Sequence, residues 1–215
     1  MESYIFENLE LSLQTVKDAV GTNQKKICKA VDLIVETIHN DNKILVCGNG
    51  GSASDSLHIC GEFTNRLLKE RRPLPAFPLS ADIASITAIA NDYSFDDIFS
   101  KQVLANGRKG DILWALSTSG NSKNIINAAK TAQNIGMKVI SFTGGNGGEI
   151  TKHSDLSIIA SATTICPRIQ EAHVFLYHII IEMVENKLFP YIRGGSIPKK
   201  SVRLKDRKGT ICKYN

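Results

Sequence analysis

Lys43-Ile-Leu-Val-Cys47 runs straight into Gly48-Asn-Gly-Gly-Ser52, and this junction decides the fold. The apolar run is too short for a helix and suits a buried strand. A glycine-rich loop follows it, and the next stretch, 53–68, has helical character. Four further short apolar runs come later: Ala76-Phe-Pro-Leu79, Ile112-Leu-Trp-Ala-Leu116, Val139-Ile-Ser-Phe142 and Leu156-Ser-Ile-Ile-Ala160. Helical stretches at 82–91, 96–106, 122–135 and 168–188 separate most of them. Strands joined by helices need crossover connections. That predicts an α/β fold with a mainly parallel sheet covered on both faces.

Working outward, two amphipathic helices are expected before the first strand. One spans 3–20 with Phe6, Leu9, Leu13, Val16 and Val20 on one face, and one spans 23–39 with Ile27, Val31, Ile34 and Ile38. They have the sheet or another subunit to cover. Phe189-Pro190 is a helix stop. The domain is therefore expected at 1–190, including the helical segment 1–40. Residues 191–215 are expected to be a basic, flexible tail. Eight of those 25 residues are Lys or Arg against one acid, Asp206, so the tail carries +7 and the body −2 of the net +5. A mildly acidic body argues against a nucleic-acid-binding surface. No apolar run is long enough to span a bilayer, and the acidic N-terminus lacks the basic region of a secretory signal. Five scattered cysteines with no CxxC pair suit reduced thiols in the cytoplasm.

In an open parallel sheet, ligands bind at the carboxyl ends of strands. Two strand ends here carry unusual loops: Cys47-Gly-Asn-Gly-Gly-Ser-Ala-Ser54 and Leu116-Ser-Thr-Ser-Gly-Asn-Ser122. Each enters a helix, where free N–H groups favour an anion. One such loop is as readily an ordinary turn with a Ser cap. Two in one small domain favour a phosphate cradle. Neither fits the Gly-Lys-Ser/Thr pattern of nucleotide hydrolases, nor G-x-G-x-x-G. Beyond the first loop, His58 and Glu62 share one helix face, as a surface ion pair or as functional groups. Gln170, Glu171, His173 and His178 lie in the last helix, where a core histidine is the common alternative. His58, Glu62 and His178 together would supply an acid/base pair or metal ligands.

With these residues in view, the sequence resembles the sugar isomerase (SIS) domain family, in the branch that isomerises sedoheptulose 7-phosphate. The resemblance is carried, in order, by Cys47–Ser52, His58 through Glu62, Ala90-Asn-Asp92, Ser117–Ser122, Phe142-Thr-Gly-Gly145 and Arg168-Ile-Gln-Glu-Ala-His173 with His178. It implies a single SIS domain with a five-stranded parallel sheet flanked by helices. It also implies a homotetramer with sites between subunits, and a phosphosugar isomerase for bacterial heptose synthesis. By resemblance, Ser52, Ser117, Thr118, Ser119 and Ser122 hold the phosphate. Asn49, Gly50, Gly51, Asn91 and Asp92 line the sugar, with Glu62 and Gln170 also facing it. His58, Glu62, Gln170 and His178 match the ligand positions of zinc-containing members.

Glu62 is the expected base and His178 the paired acid/base. Gln170 and His178 are eight residues apart, or ~12 Å along one helix. Each site is therefore expected to draw on two or more chains. Pro167 stands where some family members carry an acid, and the basic tail lies outside the family pattern. Two rival readings share the fold: a non-catalytic adaptor that associates with the DnaA initiator, and a phosphosugar sensor. Glu62 and His178 favour the enzyme over both.

Overall fold

The computed structural model describes residues 1–190, together with the backbone of two short paired strands, β6 (Leu204–Lys205) and β7 (Ile211–Cys212). The rest of the tail expected at 191–215 lies outside the described residues. The helix α1 (Glu2–His39) leads into β1 (Ile44–Gly48), α2 (Gly51–Thr64) and β2 (Ala76–Pro78). Then come α3 (Ile83–Asp92), a short 3-10 turn, α4 (Ile98–Asn106), β3 (Ile112–Leu116), α5 (Lys123–Asn134), β4 (Lys138–Gly144), β5 (Leu156–Ala160) and α6 (Cys166–Leu188). The five strands pair in parallel in the order β2-β1-β3-β4-β5. This is the α/β architecture that the five apolar runs predict.

The sheet is buried on both faces, so its strands read as continuous apolar runs. Along β3 the residues alternate between two cores. Ile112, Trp114 and Leu116 face a layer built with α1, α2 and α6, among them Ile34, Phe63, Leu176 and Ile180. Leu113 and Ala115 face the layer of α4 and α5, with Phe99, Val103, Ala128 and Ala132.

The two helices expected at 3–20 and 23–39 are one helix of 38 residues. Gly21, between the two expected helices, sits on the exposed side. A solvent-facing glycine costs about 1 kcal/mol in a helix interior and does not end it. The buried stripe Thr15, Ala19, Asn23, Ile27, Ala30, Ile34 and Ile38 passes beneath it without interruption.

Asn23 fixes that stripe to the sheet. Its Nδ2 donates to the Ile159 carbonyl at 2.9 Å, and its Oδ1 accepts from Ile159 N–H at 3.2 Å. Ile159 lies on β5, an edge strand, so this side chain occupies backbone groups that lack a neighbouring strand. Asn23→Ala would strand both groups in the core. At about 1–3 kcal/mol per unsatisfied buried group, a clear drop in the denaturant midpoint is expected. An unchanged midpoint would mean that water replaces the amide.

A buried ion pair joins α6 to the loop after α2. Arg71 Nε donates to Glu185 Oε1 at 2.8 Å, with side chains 0% and 1% exposed. Glu185 also accepts the backbone N–H groups of Leu67, Leu68 and Lys69. Arg71 in turn donates to the carbonyls of Phe63, Asn65 and Glu62. Burial alone would push Glu185 up. The three N–H groups and the guanidinium outweigh it and hold the carboxyl below its usual range.

Candidate active site

The chain leaves β1 for one side of the sheet and returns to β3 on the other, so the strand order reverses between β1 and β3. That is where a doubly wound sheet opens a crevice. Both glycine- and serine-rich loops end there, and their side chains tie them together. Asn49 and Asn124 exchange two amide hydrogen bonds of 2.9 Å each. Ser117 Oγ donates to Ser122 Oγ at 3.2 Å, and Ser119 Oγ accepts from Asn121 N–H at 3.2 Å. Gly120 adopts φ +67°, and a Cβ on it would collide with the Gly147 carbonyl. The loop is therefore pressed against the turn after β4. A cleft of about 460 Å³ opens beside it, lined by Thr118, Ser119, Gly144, Gly145, Asn146 and Cys166. The first turn of α5 begins at Lys123, with Ser122 at its cap position, so the serine loop ends at a helix start, whose dipole favours an anion.

The helix α6 decodes the Arg168-Ile-Gln-Glu stretch. Pro167 lies in its first turn, where a missing N–H costs no intrahelical bond. Arg168 donates to the Asn8 carbonyl at 2.9 Å and pairs with Glu171 at 2.7 Å, while Ser12 donates to Glu171. These two charged residues strap α1 to α6. Ile169 fills the space over Gly144. Gln170 lies on the first loop, where a Cβ on Gly51 would strike its amide.

One and two turns further along, α6 meets α2 again. His58 Nε2 is 3.1 Å from Glu62 Oε1 and 3.4 Å from His178 Nε2. His58, Glu62 and His178 offer ligand atoms that all lie within 4.8 Å of one another. The face shared by His58 and Glu62 is therefore the face that α6 meets. Burial, then the neighbouring His58, holds His178 below its usual range against the pull of Glu62. His173 is a core residue instead. It is fully buried against Phe142, bonds the Thr143 carbonyl at 3.1 Å, and is pushed down to about 4 by burial.

The helices α2 and α6 run side by side, with Gln170 at the Gly51 end and His178 at the His58 end. Gln170 thus stands apart from the other three expected ligands of its own chain. Asn91 and Asp92 close α3 in an exposed position and bond one another at 2.8 Å. Among the described residues, no hydrogen bond ties them to either loop. Ser52 is buried in the first turn of α2.

Three contributors escaped the sequence reading. Asn124 had no signal beyond its place after Ser122. Asp55 had one, since Asp55, His58 and Glu62 fall at three- and four-residue steps on one face. Tyr177 resembled core packing, and only the fold puts its hydroxyl 2.9 Å from His58 Nδ1.

Fold and site together define a class: an α/β protein with a cleft bounded by glycine- and serine-rich loops at its switch point and a His/Glu cluster where α6 meets α2. Comparison with known proteins narrows it. Residues 9–144 match the model of the SIS domain family. A phosphoheptose isomerase of Aliarcobacter butzleri is 43% identical over 188 residues, covering 87% of this chain and 99% of that protein. One from a Shewanella species is 46% identical over 183 residues, covering 83% and 92%. Among solved structures, the phosphoheptose isomerase of Neisseria gonorrhoeae superposes with a TM-score of 0.81 at 37% identity, covering 86% of this chain and 98% of that one. The chain belongs to the SIS domain family, among the phosphoheptose isomerases.

The cradle yields a direct expectation. Replacing Ser119 and Ser122 by Ala removes two hydroxyls and leaves the backbone donors. A hydrogen bond to a charged group is worth roughly 1.5–3 kcal/mol, so kcat/KM should fall at least about tenfold, mainly through KM. Inorganic phosphate should inhibit the double variant less. Unchanged KM and unchanged phosphate inhibition would place the cradle elsewhere.

Proposed function

We propose that this chain interconverts D-sedoheptulose 7-phosphate and D-glycero-D-manno-heptose 7-phosphate through an enediol, supplying bacterial heptose synthesis for lipopolysaccharide or capsule. The observation that carries the reading is the meeting of Glu62 and His178 where α6 packs on α2, in a chain 43–46% identical to phosphoheptose isomerases. Ser52, Ser117, Thr118, Ser119 and Ser122 hold the phosphate at one end of α2. Ten residues of α2, about 15 Å, separate Ser52 from Glu62, more than a heptose phosphate spans, so the far end of the sugar meets Glu62 and His178 of a neighbouring chain. Asn49, Gly50, Gly51, Asn91, Asp92 and Gln170 line the path between.

Moving the carbonyl from C2 to C1 takes a proton from C1 and returns one to C2. Glu62 does both, with its Oε1 beside His58 Nε2 at 3.1 Å. Proton traffic between O1 and O2 needs a second group, and His178 supplies it. Its Nε2 is the nitrogen that faces the cluster, 3.4 Å from His58 Nε2. That nitrogen can carry a proton or bind a cation, but not both at once. The two roles expected of His178 are therefore alternatives.

The donor set fits zinc. Its nitrogen and oxygen atoms lie close enough to share one ion, and two imidazole Nε2 atoms face each other at 3.4 Å, an arrangement that a proton or a cation must bridge. His58, Glu62 and His178 would hold the ion, with Gln170 from a neighbouring chain as the fourth ligand. When bound, zinc supplies Lewis-acid polarisation of the sugar oxygens.

A homotetramer is supported by the start of α1, where Phe6 is 66% and Leu13 55% exposed alongside Tyr4, Ile5 and Leu9. Apolar faces of that size mark association surfaces. No helix among the described residues is long and apolar enough to cross a membrane, which suits a cytoplasmic enzyme. The test is to incubate purified protein with sedoheptulose 7-phosphate, with and without chelator, and to follow the aldose by NMR. Light scattering reads the assembly. Aldose should appear, and its absence under both conditions would defeat the proposal.

A further inference from the structure

Strands β1 and β3 lie side by side, with Gly48 opposite Leu116 at the end of their register. Beyond that point the two chain segments part. The glycine loop enters α2, which packs in the layer of α1 and α6, and the serine loop enters α5, which packs with α4 on the other face. Among the described residues, no backbone hydrogen bond joins the two loops. One pair of side chains bridges them. Asn49 Nδ2 donates to Asn124 Oδ1, and Asn124 Nδ2 donates to Asn49 Oδ1, each at 2.9 Å.

The partners are placed differently. Asn124 is buried, at 2% exposure, and its Oδ1 also accepts the Ile125 N–H at 2.9 Å, which anchors the amide to the first turn of α5. Asn49 is half-buried on its loop. Ser52 follows Asn49 by three residues, and Ser122 precedes Asn124 by two. The amide pair therefore connects the hydroxyl at the start of α2 to those of the serine loop. A side-chain amide both donates and accepts without carrying charge. The pair can tie the loops without placing a carboxylate, which would repel an anion, or an ammonium, which would compete for it.

We propose that Asn124 is a positioning residue that, through Asn49, sets the spacing between the two halves of the phosphate cradle. The proposal rests on the phosphate reading of the two loops. Buried as it is, Asn124 acts through Asn49 rather than on the substrate. With the pair intact, the hydroxyls of both loops stand at one separation before the anion arrives, and binding spends nothing on drawing them together. Without the pair, that cost falls on every phosphorylated ligand alike. The loss is one of uniform binding, so it appears in KM and not in kcat.

The test compares Asn49→Ala, Asn124→Ala and the double variant, with thermal melts to establish folding. If Asn124→Ala does not fold, Asn49→Ala, on a half-buried loop position, still carries both readouts. The first is hydrogen–deuterium exchange of the ligand-free protein. Asn49→Ala should speed exchange across the gap, in peptides spanning 117–125, and Asn124→Ala should speed it in peptides spanning 47–54. The second is the affinity for inorganic phosphate by phosphorus NMR titration, together with KM and kcat. Each single variant should lose about tenfold in phosphate affinity and in KM, with kcat within about threefold of wild type. The double variant should be no worse than the poorer single one, because the two residues act as one link. Exchange that changes only in the substituted loop overturns the proposal. So does a lowered Tm with unchanged phosphate affinity, or losses that multiply in the double variant. If the wild type binds no phosphate, the phosphate reading fails separately, and exchange across the gap still decides whether the pair ties the loops.

Discussion

Glu62→Gln is expected to lower kcat by about 10²–10⁴-fold while the melting temperature and inhibition by phosphate stay near wild type. The substitution keeps the shape of the side chain and removes its ability to accept a proton from C1. Glu62 is half-buried in the last full turn of α2, and its backbone carbonyl is held by Arg71 Nη2 at 2.7 Å. The scaffold around it does not depend on its charge. Phosphate binding, one helix length away, should survive. Activity near wild type would remove Glu62 as the base. His178→Gln should lose activity comparably, whereas changes at His173 should act through stability, because His173 is sealed in the core.

Glu185→Ala should be the most destabilising single change outside the apolar core. It strands the Arg71 guanidinium and three backbone N–H groups in a buried place. Breaking a buried pair from one side costs about 3–5 kcal/mol, which for a chain of this size is a fall in Tm on the order of 10 °C. Activity should fall too, since Arg71 also positions the end of α2 that carries Glu62. Adding Arg71→Met should recover part of the loss by removing the unpaired charge. A Tm within about 2 °C of wild type for Glu185→Ala would mean that solvent reaches the pair.

Acid sensitivity follows from the same interior. His173 has its pKa depressed from 6.5 to about 4, so the unfolded chain takes up a proton that the native one refuses. Stability should decline as pH falls below 6.5, and that loss should be complete near 4. Glu185, also depressed, adds a second loss as pH drops through the range below 4.5. His173→Gln should flatten the first decline in urea titrations across that range.

Much of this was legible because the sheet is buried on both faces. Strands such as Ile112–Leu116 then announce themselves as uninterrupted apolar runs between helices. The site was legible where backbone chemistry is special, as in the glycine loop and the serine loop. It was less legible where side chains from distant segments meet. His58 and Glu62 share a helix, so their proximity follows from spacing. His178, Tyr177 and Asp55 meet only because α6 packs along α2. Arg71 and Glu185 carry no sequence signal in a chain where 22% of residues are charged, and burial alone reveals them. The expected division into two helices at 3–20 and 23–39 failed for a related reason: the cost of Gly21 is small beside the burial on the opposite side of the helix.

The most direct test runs the reaction in deuterium oxide with wild type and Glu62→Gln side by side, following sedoheptulose 7-phosphate by proton and carbon NMR. The account predicts that the wild type forms the heptose 7-phosphate, with solvent deuterium entering at C2 as far as the proton on Glu62 exchanges before it returns, while Glu62→Gln forms almost none. Equal turnover by the two proteins would contradict an enediol route with Glu62 as its base.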